Sequence, residues 1–161
     1  MLEIPVELGP RRYVISVGHG IAGSLPDLLE PLRGRRTVVV ASRRVWGRHR
    51  KALERPLRAL GPLAVCQVPD GEQFKSRRTL DAVYDAFLKA RLGRDGLVVA
   101  IGGGVVGDLG GFAAATWMRG VDWVGVTDID LLYTPGWSDF ASEYLSFGLP
   151  ILVGDPQKDA G

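Results

Sequence analysis

Two hydrophobic signatures alternate along this chain. Short, nearly solid apolar runs occupy residues 13–17, 37–41, 63–68, 97–101 and 122–126, and each reads as a buried strand. Between them apolar residues recur every three or four positions. Leu25, Leu28, Leu29 and Leu32 predict a helix over 21–32, with Pro26 tolerable only near its start. Leu53, Leu57 and Leu60 predict a helix over 45–60 that Pro56 should kink. Ser76 reads as the N-cap of a third helix carrying Leu80, Val83, Tyr84, Phe87, Leu88 and Arg91. Leu92-Gly93 should close it, glycine supplying the left-handed cap. After the run 97–101, Leu109, Phe112, Ala113, Trp117 and Met118 fit a fourth helix that packs back on the preceding strand. Strands alternating with helices mean an α/β fold: a doubly wound, mainly parallel sheet with helices on both faces. Beyond Thr127 the period loosens; 138–147 fits a helix, 149–153 a strand and 155–161 a frayed end.

The bulk composition narrows this picture only slightly. The 161 residues suffice for one domain with its own core, and 46% hydrophobic with 24% charged residues suits a soluble globular protein. A formal net charge of +2, with basic residues scattered, gives no case for nucleic acid. No apolar stretch approaches the roughly 20 residues of a membrane span, and the N-terminus lacks a signal-peptide pattern, so a cytoplasmic protein is expected. Cys66, the single cysteine, lies in an apolar run and reads as an inert thiol. His19 and His49 are the only histidines, and with no adjacent carboxylate cluster they make no metal site.

The candidate chemistry sits at Gly102-Gly-Gly-Val-Val-Gly107-Asp108. A strand, a glycine turn and a helix start together form an anion site, because the first helical amides have no intrahelical partner. Gly102, Gly104 and Gly107 also satisfy G-x-G-x-x-G. The usual dinucleotide fingerprint wants an acid about 20 positions on, at the end of the next strand. Asp122 has that count but opens its strand, so the expectation is a phosphate cradle in a different α/β arrangement, or else a tight turn with no ligand. Asp108, expected in the first helical turn, either complements the helix dipole or accepts hydrogen bonds from a cofactor. In the polar turn after residue 68, Lys75 suits a phosphate and Glu72 a ribose; both also suit plain exposed positions. Arg119 is either a helix-end cation or a phosphate ligand.

Two long motifs carry a specific resemblance: Pro69-Asp-Gly-Glu-Gln-Phe-Lys-Ser76, and Ile101-Gly-Gly-Gly-Val-Val-Gly-Asp108 continuing through Ala-Ala-Ala-Thr-Trp-Met-Arg-Gly120. Together they resemble 3-dehydroquinate synthase over residues 14–126. Related sugar-phosphate cyclases share that fold and vary both motifs. The resemblance implies the family's N-terminal, Rossmann-like NAD-binding domain, with Asp70, Gly71, Glu72, Gln73, Phe74 and Lys75 and then Gly103, Gly104, Val105, Val106, Gly107 and Asp108 on the cofactor. It implies a lyase of the shikimate pathway, which oxidises a seven-carbon sugar-acid phosphate with NAD, expels phosphate, reduces the ketone again and closes the ring to 3-dehydroquinate. Arg119 matches an arginine that reaches the substrate phosphate of a neighbouring subunit, which implies a homodimer.

The chain also departs from the family. Ser42 stands where many members carry an Asp that touches the adenosine ribose, and Thr127-Asp128-Ile129 replaces a Pro-Thr-Thr segment. The helical domain that binds zinc or cobalt through a Glu and two His has no counterpart. These departures divide the chain into an NAD-binding domain, 1–126, and a divergent tail, 127–161. They predict a truncated or frame-shifted synthase, inactive alone; a non-catalytic nucleotide-binding module and a related cyclase are the alternatives.

Overall fold

The computed structural model describes residues 2–7, 13–18, 21–128 and 151–154. In chain order the elements are β1 (Leu2–Val6), β2 (Tyr13–Gly18), α1 (Ile21–Leu28), β3 (Thr37–Ser42), α2 (Arg43–Leu60), β4 (Leu63–Val68), α3 (Arg77–Lys89), β5 (Leu97–Ile101), α4 (Gly104–Thr116), β6 (Asp122–Asp128) and β7 (Ile151–Gly154). The strands form one sheet in the order β1-β2-β7-β6-β5-β3-β4. Only the β1–β2 pair is antiparallel. Every residue of β3 and β5 is buried, as expected where helices cover both faces of a parallel sheet. One core joins α1 and α2 to Val39, Ala41, Val99 and Ile101; the other joins α3 and α4 to Val38, Val40, Val98 and Ala100. The doubly wound α/β fold is therefore as predicted.

Several boundaries differ from the sequence expectation, each for a local reason. The helix predicted over 21–32 stops at Leu28, and Glu30–Leu32 tighten into a 3-10 turn, since Pro31 has no N–H for an α-helical bond. Helix α2 starts two residues early because the Ser42 hydroxyl caps it, accepting from Val45 N–H at 3.2 Å. It continues through Pro56 to Leu60. Ser76 caps α3 as predicted, accepting from Thr79 N–H at 3.3 Å. At the other end of α3 the left-handed residue is Arg91 (φ 51°) rather than Gly93. Burial of Leu92 demands the reversal two residues earlier, and Leu92 N–H donates to Phe87 O at 2.9 Å.

Helix α4 buries Val106, Leu109, Gly110, Ala113 and Ala114. Phe112 and Met118, expected on that face, are 57% and 52% exposed. Small residues win the face because the helix lies very close to the sheet. A Cβ on Gly110 would stand 2.8 Å from the Ala100 Cβ and 3.4 Å from the Trp123 indole nitrogen. On Gly125 it would stand 3.0 Å from the same indole ring. The two glycines thus form the slot for Trp123, whose buried Nε1 has no hydrogen-bond partner among the described residues.

Strand β1 has no strand signal in the sequence, since Pro5 interrupts a short alternation; it forms at the sheet edge, where proline is tolerated. The strand expected at 149–153 lies at Ile151–Gly154 and pairs with both β2 and β6. The predicted helix 138–147 and end 155–161 lie outside the described residues.

Two substitutions test this packing. Gly110→Ala should destabilise by about 1–2 kcal/mol, because overpacking against Ala100 exceeds the gain in helix propensity. Arg91→Gly should stabilise by about 0.5–1 kcal/mol by relieving the left-handed backbone. Urea midpoints should move in opposite directions with unchanged slope.

Candidate functional site

The sheet topology creates one crevice. From β3 the chain departs to the α2 face, and from the adjacent β5 to the α4 face, so the two connections diverge above neighbouring strand ends. Open α/β sheets bind ligands at such switch points, beyond the carboxyl ends of the strands. The turn after β4, which pairs with β3 on its other side, reaches the same crevice.

Gly102 forms the floor. Its φ of 146° and its approach to Ser42 both exclude a side chain: a Cβ would lie 3.1 Å from the Ser42 Cβ and 3.1 Å from Val106 Cγ2. Its N–H donates to Val126 O at 3.0 Å, fastening the turn to β6. Gly103 is the N-cap of α4, and its carbonyl accepts from Val106 N–H (3.0 Å) and Gly107 N–H (3.1 Å). The amides of Val106 and Gly107 are thus spent within α4.

The polar turn supplies the side chains. Gly71 (φ 113°) leads into a one-turn 3-10 helix, Glu72–Phe74, and Lys75 N–H donates to Glu72 O at 2.9 Å. The Gln73 amide folds back over Gly71. Lys75 Nζ forms an ion pair with Asp108 Oδ2 and lies 3.6 Å from Glu72 Oε1. The two sequence motifs therefore meet through this pair. The hydrogen bond to Asp108, followed by the carboxylate charges, raises the Lys75 pKa above the usual lysine value. Asp108 is the fifth residue of α4, not in its first turn, so the dipole role expected of it gives way to the ion pair.

One contact at this crevice is not legible in the sequence. The buried Ser42 hydroxyl donates to Asp70 Oδ1, and Arg44 N–H donates to Asp70 Oδ2 at 3.3 Å. Twenty-eight positions separate Ser42 from Asp70, and nothing in either local pattern announces the pairing.

Arg119 is not part of this constellation. It follows α4 at the end opposite the glycine turn, about 20 Å away by helix rise, in a turn where Met118 (φ 49°) and Arg119 (φ 71°) are both left-handed. Asp122 opens β6 and pairs with Arg35 at the other edge of the sheet, as its place in the sequence implied. Cys66 is partly buried, and burial pushes its thiol pKa up, away from reactivity. Among the described residues no group of three or more His, Cys, Asp and Glu could hold a metal, and no helix is long and apolar enough to cross a membrane.

Residues 65–131 match the family model of the 3-dehydroquinate synthase N-terminal domain. The chain is similar to the N-terminal part of 3-dehydroquinate synthases. Over 127 residues it is 43% identical to 3-dehydroquinate synthase of Pseudomonas entomophila, a match covering 78% of this chain and 34% of that protein. The chain thus spans about a third of the length of the curated relatives it matches. A 2-deoxy-scyllo-inosose synthase solved with carbaglucose-6-phosphate, NAD+ and Co2+ superposes with TM-score 0.74 at 16% identity, covering 97% of this chain and 45% of that one. The 2-epi-5-epi-valiolone synthase of Streptomyces hygroscopicus, solved with NAD+ and Zn2+, gives TM-score 0.68 at 19% identity, covering 98% and 46%. Both show the same fold.

The ion pair joining the two motifs has a direct readout. In Asp108→Asn the Lys75 ammonium should titrate at lower pH than in the wild type, measured by NMR of the lysine side chain. The pair's contribution to stability is present at neutral pH and is lost as pH rises through the raised Lys75 pKa.

Proposed function

We propose that this chain provides the NAD-holding part of a cytoplasmic 3-dehydroquinate synthase and does not complete the reaction alone. The carrying observation is that the polar turn and the glycine turn meet at the β3/β5 switch point, joined by Lys75 and Asp108. The dinucleotide fits the residues present. Gly102 keeps the crevice floor free of side chains, and the main chain at the start of α4 faces the diphosphate. Val106 and Gly107 shape that turn through their bonds to Gly103. Lys75 supplies a positive charge next to the diphosphate; Asp108 orients Lys75 and offers acceptor oxygens to cofactor hydroxyl or amide groups. Asp70 and Glu72 face the ribose side, and Gly71, Gln73 and Phe74 hold the turn that presents them. Bound there, NAD supplies a hydride acceptor, which the elimination of phosphate from a sugar-acid phosphate requires.

The described residues do not fit the zinc or cobalt of the family, so no step is assigned to a metal here. Arg119 is assigned to the substrate phosphate of a neighbouring subunit in a homodimer. Its distance from this crevice along α4 supports a role at a different subunit's site.

Calorimetric titration with NAD+ tests the reading. Saturable binding is expected, weakened roughly tenfold in Asp108→Ala and in Lys75→Ala, the scale of one charge-assisted hydrogen bond. No heat at millimolar NAD+ would remove the proposal. With the seven-carbon sugar-acid phosphate, the chain alone should release no inorganic phosphate; steady release would overturn its assignment as inactive on its own.

A further inference from the structure

In the usual dinucleotide pattern an acidic side chain at the end of the strand after the glycine turn, here β6, accepts from the ribose 2′-hydroxyl, or an arginine receives a 2′-phosphate; β3 flanks the glycine-turn strand β5 on its other side. Strand β3 ends in Ser42, followed at once by Arg43 and Arg44 in the first turn of α2, both exposed. Read along the chain, that segment favours a phosphorylated ribose. The three-dimensional arrangement reverses this reading. The Ser42 oxygen is committed to the α2 cap, accepting from Val45 N–H, while its proton goes to Asp70. Ser42 therefore has no proton to give a ribose. Arg44 N–H holds the second Asp70 oxygen, so both carboxylate oxygens are anchored at the strand end while Asp70 itself remains exposed. A carboxylate retains lone pairs beyond these two bonds. Lys75 does not offset it, being paired with Asp108.

We infer that Asp70, delivered from the turn after β4 and locked onto Ser42 and the Arg44 main chain, determines the choice between NAD and NADP by accepting from the adenosine 2′-hydroxyl and repelling a 2′-phosphate. This deepens the NAD-binding reading above and rests on it. It assigns the acid to a different strand connection from the one the dinucleotide rule points to.

The test is a pair of calorimetric titrations, NAD+ and NADP+, on the wild-type chain and on Asp70→Asn, an exposed isosteric change that removes the charge and one of the two anchoring bonds while its amide oxygen can still accept from Ser42. Wild type should bind NAD+ at least roughly tenfold tighter than NADP+, the scale of a hydrogen bond to a charged group. Asp70→Asn should narrow that ratio by a similar factor, chiefly through stronger NADP+ binding as Arg43 and Arg44 act unopposed. Replacing NAD+ by its 2′-deoxyadenosine analogue should weaken wild type more than Asp70→Asn, which separates loss of the hydroxyl contact from general charge effects. An unchanged NAD+/NADP+ ratio in Asp70→Asn, or a wild-type preference for NADP+, would overturn the inference while leaving nucleotide binding intact. Binding of neither dinucleotide would remove the functional reading itself, and this inference with it.

Discussion

Everything at the carboxyl edge of the sheet depends on α4 lying closer to β5 than a side chain would permit. Gly110 allows the approach halfway along the helix, where a Cβ would press on Ala100; Gly102 allows it at the turn, where one would press on Ser42 and Val106. With the helix seated this deeply, its start stands directly over the ends of β3 and β5, and Asp108 comes within reach of Lys75. The shortness of the side chains on that face follows from the same constraint. A helix face of Val, Leu, Gly and Ala contributes modest apolar area per residue, but it lets the helix approach the sheet closely. Phe112 is excluded from that face because a ring would hold the helix off the sheet.

The sequence made the alternation of strands and helices plain because β3 and β5 are buried on both faces and therefore read as continuous Val and Ile runs. The caps at Ser42 and Ser76 follow from side-chain chemistry acting within three residues, so they too were open to local reading, although the first was noticed only as a family departure. What resisted local reading was decided by distant groups. The left-handed turn fell to Arg91 over Gly93 because the core claimed Leu92. Strand β1 exists only because β2 offers it an edge.

The candidate site divides in the same way. Both glycine-containing motifs were recognisable as linear strings, since each needs unusual backbone geometry from particular residues. Their union through Lys75 and Asp108, and that of Ser42 with Asp70, belongs to topology: β4 and β5 flank β3, which brings three connections over one strand end. Charge at the crevice is correspondingly local. The single lysine there is matched by Asp108, so the pair adds no net charge to the crevice.

The position of β7 governs the order in which the sheet can assemble. Its residues join β2 to β6, with Ser16 opposite Leu152 and Val126 opposite the same residue, so β1 and β2 are tied to the rest by a strand far downstream of them. During synthesis the β3-to-β6 block can form from sequential neighbours, while the β1–β2 pair must wait for a closure that spans that whole block. Such long-range closure is slow and entropically costly. Until it occurs, two unpaired strand edges face solvent, and a nascent chain in that state is at its most dependent on chaperones.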